Sequence, residues 1–249
     1  LGKPRRDEVS PAEIERVKKE REHMSVGSVN NLLKYIRAML YCGKAKGYKL
    51  EIPEVTYLEN AVEAHWYTAE QFEALVRSAA TFKRADLVLI LLAGEAGLRS
   101  GELAALRWDD VDLDKRELTI RRNYVRGHEG SPKTGKSRLV PMSPRLHAAL
   151  VGYRAEEGGD GRVLRSPRGK VMATDSQRCA LARIARYAEV PEHGIHALRH
   201  CFGSRLMNGG SGAKVVMQLL GHAKLQTTER YIHASDAHCR SAVDRLAPA

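Results

Sequence analysis

The chain has 249 residues, 41 Lys and Arg against 30 Asp and Glu, and a formal net charge of +11 at pH 7. Hydrophobic residues make up 43%, enough for a packed core, but no apolar run approaches the roughly 18–20 residues needed to span a bilayer. The opening Leu-Gly-Lys-Pro-Arg-Arg lacks the apolar stretch of a signal peptide, so a cytoplasmic protein with no membrane partner is the default expectation. Cys42, Cys179, Cys201 and Cys239 are widely spaced with no Cys-x-x-Cys pair, which argues against a disulfide framework or a cysteine-rich zinc site. The basic excess favours a polyanion, because neutralising nucleic-acid phosphates releases condensed counterions.

Up to about Glu22 charges of both signs are dense and apolar residues few, the pattern of a solvated helix or a frayed start. From Ser28 onward Leu32, Leu33, Ile36, Met39 and Leu40 recur at helical spacing, and Gly43 and Gly47 end that helix. Ile52-Pro53 opens a connector, and Glu54 to Tyr67 has no clear period and reads as a linker. The linker is expected to divide the chain into residues 1–62 and 63–249.

Thr68-Ala69-Glu70-Gln71 has the form of a capping box, with Phe72, Leu75, Val76 and Ala79 on one face of the helix that follows. An almost wholly apolar helix is expected from Ala85 to Ala96, stopped by Gly97 as a left-handed cap, with Ser100 capping a short helix through Leu106. The period then switches to that of strands: Glu117–Ile120, Asn123–Val125 and Arg138–Val140 are short, β-branched and separated by Gly, Pro and Asp. Ser143-Pro144 offers an N-cap with Pro at the first helical position. Thr174 to Gln177 repeats the capping-box signature ahead of a helix through Ala188, and further helices follow Ile195, Gly212 and Leu225. The expected fold is mainly α with a small antiparallel β-sheet, an α+β class.

Four clusters can carry chemistry. Arg99 follows a helix-terminating Gly beside a new helix start, where free backbone N–H groups also favour an anion, and Glu102 can orient it or simply pair with it. Lys133 and Lys136 lie between predicted strands, where a mobile Lys can reach a bound substrate as a proton donor or remain a solvated turn residue. His196 and Arg199 are three apart on a predicted helix, so both can act on one group, and His200 can join that face. The fourth cluster is Leu219-Leu220-Gly221-His222, then Thr227-Thr228-Glu229-Arg230-Tyr231-Ile232-His233. Together, two arginines, a lysine, two histidines and a tyrosine suit attack on a phosphodiester. Guanidiniums grip non-bridging oxygens and offset charge growing in the transition state. A tyrosine is only about 0.1% ionised at pH 7 and needs local help to become a nucleophile. The 5′-oxygen leaving group needs a proton, which a lysine can supply.

From about Glu63 to the C-terminus the sequence resembles the tyrosine recombinase, or phage-type integrase, family, with the motifs in the family's order. The resemblance assigns Arg99 as the first catalytic arginine with Glu102 supporting it, and Lys133 as the hairpin general acid. It assigns His196 and Arg199 as the His-x-x-Arg box, His222 as the Leu-Gly-His position and Tyr231 as the nucleophile. Ala197 and Cys201 depart from the Asp and Thr that are common in the family, at positions that carry no chemistry there. The implied architecture is a tyrosine recombinase catalytic domain preceded by a partial helical core-binding domain that clamps DNA. The implied activity is cleavage and rejoining of double-stranded DNA through a 3′-phosphotyrosine and a Holliday junction. No cofactor and no metal are expected, and the implied partners are a specific recombination site, a synaptic homotetramer and accessory DNA-bending proteins at the nucleoid. Ala242, Val243 and Leu246 are expected in a helix that packs on a neighbouring subunit or on its own. Competing readings are a type IB-like topoisomerase, a non-catalytic DNA-binding relative, and a zinc hydrolase using His193, His196, His200 and Cys201.

Overall fold

The computed structural model describes residues 9–59, 66–131, 135, 137–166 and 168–221. The chain divides into two compact units, residues 1–64 and 65–249.

In the first unit, Ser10 starts α1 (Pro11–Glu20) with a full capping box to Glu13 and Pro11 in the first turn. Of the two expectations for this stretch, a solvated helix or a frayed start, residues 11–20 follow the helix, which is capped and buries Ile14. Ser25 caps α2 (Val26–Ala45), which begins slightly ahead of the apolar periodicity. Ile14, Val29, Leu33 and Val55 form a small core. The Asn30 side chain pins the aperiodic segment to α2: its Nδ2 donates to the Leu58 carbonyl and its Oδ1 accepts the Leu58 N–H, both at 2.9 Å.

In the second unit, Thr68 forms the expected box at the head of α3 (Ala69–Ala80). The next helix, α4 (Arg84–Gly94), is buried continuously from Val88 to Gly94 and packs against α3 and the later helices α6 (Pro144–Glu157), α7 (Thr174–Tyr187) and α8 (Ile195–Asn208). It ends short of Gly97, which supplies a left-handed turn (φ +63°) beyond the helix rather than its immediate cap. Arg99, not Ser100, is the N-cap of α5 (Ser100–Ala105). Ser143 caps α6 with Pro144 in the first turn, as the sequence predicts. The last described helix is α9 (Ala213–Leu220). The helix expected after Leu225 lies outside the described residues.

Among the described residues the β structure is two small antiparallel sheets instead of one. Strands β1 (Val111–Asp112), β2 (Glu117–Ile120) and β5 (Arg138–Pro141) pair in the order β1-β2-β5, with Leu118 opposite Val140 and Ile120 opposite Arg138. Strands β3 (Asn123–Val125) and β4 (His128–Gly130) form a separate hairpin. Arg121 and Arg122, between β2 and β3, both bond the buried carboxylate of Asp110, anchoring the chain where one sheet ends and the other begins.

Thr174 is the first helical residue of α7, and Ala173 holds the cap position without a side-chain bond. The Gln177 amide points inward instead of back to the helix start. Its Nε2 donates to the carbonyls of Ser100 at 3.0 Å and Met172 at 2.8 Å, and its Oε1 accepts the Ser100 hydroxyl at 2.8 Å. This fully buried amide joins α5 to α7. No helix among the described residues is long and apolar enough to cross a membrane.

Candidate active site

The site begins with the first turn of α5. Glu102 is its third residue, and its Oε2 accepts the Arg99 backbone N–H at 2.9 Å while Oε1 accepts Arg99 Nη1 at 2.9 Å. A carboxylate in a first helical turn faces the positive end of the helix dipole and its unsatisfied N–H groups. That local rule aims the Arg99 guanidinium, which stays partly open to solvent.

Arg199 on α8 is fully buried. Its Nη1 donates to the Gly97 carbonyl and lies 3.9 Å from Glu102 Oε2, and its Nη2 donates to the Leu220 carbonyl. A third guanidinium completes the cluster. Arg138, the first residue of β5, grips Glu102 with both terminal nitrogens, Nη1 to Oε1 at 2.9 Å and Nη2 to Oε2 at 2.7 Å, and sends Nε to the Leu219 carbonyl at 2.8 Å. Arg99 Nη2 reaches the Gly221 carbonyl at 3.2 Å.

Three successive carbonyls, of Leu219, Leu220 and Gly221, thus each accept from a different arginine. They belong to the C-terminal end of α9, where intrahelical donors run out and the helix dipole is negative. Gly221 closes α9 in the left-handed conformation (φ 62°). His222 follows it in sequence.

Glu102 is the single carboxylate of this cluster among the described residues, and only 2% exposed. Burial pushes its carboxyl up. The hydrogen bonds and charge of Arg138 oppose this most strongly, followed by the Arg99 N–H and the charge of Arg199, and the carboxyl is held down at about 2. It is ionised throughout the neutral range and leaves the cluster with a surplus of positive charge that suits a phosphate.

His196 lies one turn before Arg199 on α8, exposed where Arg199 is buried. Its ring packs edge-on against His200 with centroids 4.4 Å apart, and His200 lies 6.2 Å from the Trp66 ring. The structure therefore brings Arg99, Glu102 and Arg199 together and sets His196 next to Arg199 along one helix. Lys133, Lys136, His222 and Tyr231 lie outside the described residues, as do Ala242, Val243, Leu246 and Cys239. The residues of the zinc reading do not converge. His193 packs against Tyr67, the Cys201 thiol faces the Thr68 carbonyl, and no group of three or more ligands among the described residues could hold a metal.

Arg138 was not singled out from the sequence as a site residue, although a signal was present. Strand alternation places it on the same face as the buried Val140, while Leu139 between them is exposed. A charged residue facing inward beside an apolar residue facing outward marks a position chosen for something other than packing. A second basic feature is an open cleft of about 610 Å³ lined by Tyr124, Arg162, Arg165 and Lys170. Arg162 stacks over the Tyr124 ring at 5.3 Å, and Arg107, Arg122 and Arg162 all converge on Glu129.

The phage integrase family profile matches residues 65–238, a span that takes in every candidate site residue. The chain belongs to that family. Tyrosine recombinase XerC of Xanthomonas campestris pv. campestris is 33% identical over 169 residues, covering 66% of this chain and 48% of that protein. Tyrosine recombinase XerA of Thermococcus kodakarensis is 32% identical over 182 residues, covering 72% of this chain and 61% of that protein. The chain thus spans about half to three-fifths of the length of these relatives. Among solved structures, the Tn1549 transposon integrase in complex with transposon right end DNA superposes with a TM-score of 0.80 at 21% identity, covering 94% of this chain and 85% of that one. XerH site-specific recombinase bound to palindromic difH substrate, a post-cleavage complex, gives 0.73 at 17%, covering 93% and 70%. At these identities the likeness establishes the integrase fold.

Proposed function

We propose that this phage integrase family member is a tyrosine site-specific recombinase that cleaves and rejoins double-stranded DNA. The observation that carries the proposal is the pair Arg99 and Arg199 gathered on buried Glu102. A buried anion holding cationic side chains at one spot is an arrangement prepared for a second anion, and the basic excess of the chain fits a nucleic-acid phosphate.

In the proposed reaction the Tyr231 hydroxyl oxygen attacks the scissile phosphorus, forming a phosphotyrosine bond to the 3′ side and breaking the bond to the 5′ oxygen. Lys133 gives its proton to that oxygen, the Tyr231 hydroxyl proton passes to His196 acting as general base, and His222 helps hold the phosphate. Arg99 and Arg199 stabilise the charge on the non-bridging oxygens. Attack by the 5′-hydroxyl of a partner strand reverses the step and exchanges strands through a Holliday junction. The phosphodiester energy is retained in the phosphotyrosine, so the reaction requires no cofactor, and the protein's own cations serve where a metal would. Two bound sites assemble as a homotetramer, with accessory proteins bending the DNA, in the cytoplasm at the nucleoid.

The N-terminal unit is proposed as a clamp on the same DNA. From Ser25 to Leu50 there is no acidic residue. Lys34, Arg37, Tyr41 and Lys44 share one face of α2, all exposed, with Arg37 over the Tyr41 ring at 5.6 Å.

The test is a denaturing gel for a covalent protein–DNA adduct, using nicked suicide duplexes tiled from DNA flanking the protein's own gene, in excess chelator. Wild type is expected to form an adduct, and Tyr231→Phe to bind DNA without forming one. An adduct in the Phe variant would move the nucleophile elsewhere, and relaxation of a supercoiled plasmid carrying the cleaved site without any exchanged strands would make the enzyme a topoisomerase.

A further inference from the structure

We propose that Arg138 is a positioning residue for this active site: it fixes Glu102, and through Glu102 the Arg99 guanidinium, while tying both to the end of α9. The inference rests on the recombinase reading above and adds a residue to it.

The geometry accounts for every nitrogen of the side chain. Nη1 and Nη2 take one carboxylate oxygen of Glu102 each, at 2.9 and 2.7 Å, leaving Nε for the Leu219 carbonyl at 2.8 Å. A planar guanidinium can satisfy this fork-on-carboxylate arrangement and a third acceptor at once; a lysine ammonium, a single point on a flexible stem, cannot reproduce it. The Arg138 side chain is only 9% exposed, against 27% for Arg99, so Arg138 is spent on the protein while Arg99 remains open toward a ligand. Without Arg138, Glu102 would swing to satisfy itself with Arg99 and Arg199 alone, and the aim of Arg99 would follow it.

Position adds a second consequence. Arg138 is the first residue of β5, where the chain leaves the segment that contains Lys133 and Lys136. The same side chain reaches the last turn of α9, which leads in sequence to His222. One residue therefore links the strand entered from the candidate general acid, the carboxylate that aims an arginine, and the helix that precedes a candidate histidine.

The test uses the full chain on the nicked duplex that gives the wild-type adduct, with duplex affinity and single-turnover cleavage at saturating DNA measured separately. Arg138→Met is expected to bind the duplex as wild type does and to cleave about 10 to 100 times more slowly, by analogy with the loss seen when the hydrogen-bond partner that orients a metal ligand is removed. Arg138→Lys, which keeps the charge and loses the fork, is expected to stay close to the Met variant. In a cycle with Glu102→Gln, the double variant is expected to cleave no more slowly than the worse single variant, because both act through one group. The double variant also contains no uncompensated buried carboxylate, so it carries the test if Arg138→Met alone does not fold. Wild-type cleavage by Arg138→Met, multiplicative losses in the cycle, or a loss of affinity matching the loss of rate would overturn the inference and leave the recombinase reading standing. Absence of an adduct from wild type on every duplex would overturn both.

Discussion

Arg199 donates from Nη1 to the carbonyl oxygen of Gly97, so the buried arginine of α8 holds the turn from which Arg99 projects two residues later. Gly97 is suited to that turn twice over. Its φ of +63° lies where side chains are strained, and a Cβ there would sit 2.5 Å from Phe202 Cδ1 and 2.9 Å from Leu220 Cδ2. Gly97→Ala is expected to destabilise the second unit by about 2 kcal/mol or more, from backbone strain and overpacking together. Chemical denaturation checks the stability, and the adduct assay should show cleavage lowered at temperatures where the variant remains folded. A variant as stable as wild type would mean that the turn tolerates a side chain that its geometry excludes.

Glu102 predicts a pH dependence with a definite sign. Its folded carboxyl is held at about 2, below the ordinary 4.5. A depressed acid stabilises the folded state fully above its unfolded value and loses that contribution as pH falls toward the folded one. The window is therefore about pH 4.5 down to about 2, and the contribution at neutral pH is on the order of 3 kcal/mol. Glu102→Gln should be destabilised by a comparable amount at pH 7, and the gap to wild type should narrow as denaturation is repeated toward pH 3. A gap that stays constant with pH would show that the cost of the Gln variant is steric and not electrostatic.

These two residues also mark how far the sequence could be read. Helix positions followed from capping boxes and apolar periodicity because those signals are local, as at Thr68 and Ser143. The Thr174 to Gln177 signature misled because tertiary structure outbid it: the Gln177 amide found the Ser100 and Met172 carbonyls in the core. Arg99, Glu102 and Arg199 could be named from motif order. The meeting of Arg99 with the Gly221 carbonyl and of Arg199 with the Leu220 and Gly97 carbonyls could not, since these contacts join residues from 21 to 122 positions apart in the chain. Arg138 was legible only as a break in strand alternation, which becomes meaningful once the inward face is known.

The Gln177 amide carries its own prediction. It satisfies two backbone carbonyls and one hydroxyl within a fully buried space between α5 and α7. Gln177→Leu fills a similar volume and leaves the two carbonyls without this donor and the Ser100 hydroxyl without this acceptor, at an expected cost of about 1–3 kcal/mol. Ser100 is both its partner and the neighbour of Arg99, so cleavage should fall as well. Loss of stability with cleavage unchanged would separate the α5–α7 tie from the aim of Arg99.

The stripe on α2 predicts how salt acts on DNA binding. Each phosphate neutralised by a protein cation contributes about 0.9 to the slope of log affinity against log salt on duplex DNA. If Lys34, Arg37 and Lys44 each lie against a phosphate, replacing all three by Gln should lower that slope by about 2.7. All three are exposed and α2 buries Val29, Leu33 and Leu40 through other positions, so the triple variant should keep its folded stability. Affinity titrations of wild type and variant on one duplex across a salt series give the comparison directly. A smaller slope with an unchanged denaturation midpoint places the first unit on the DNA backbone. An unchanged slope would mean that these cations face solvent in the complex and that the second unit alone carries the electrostatic attraction.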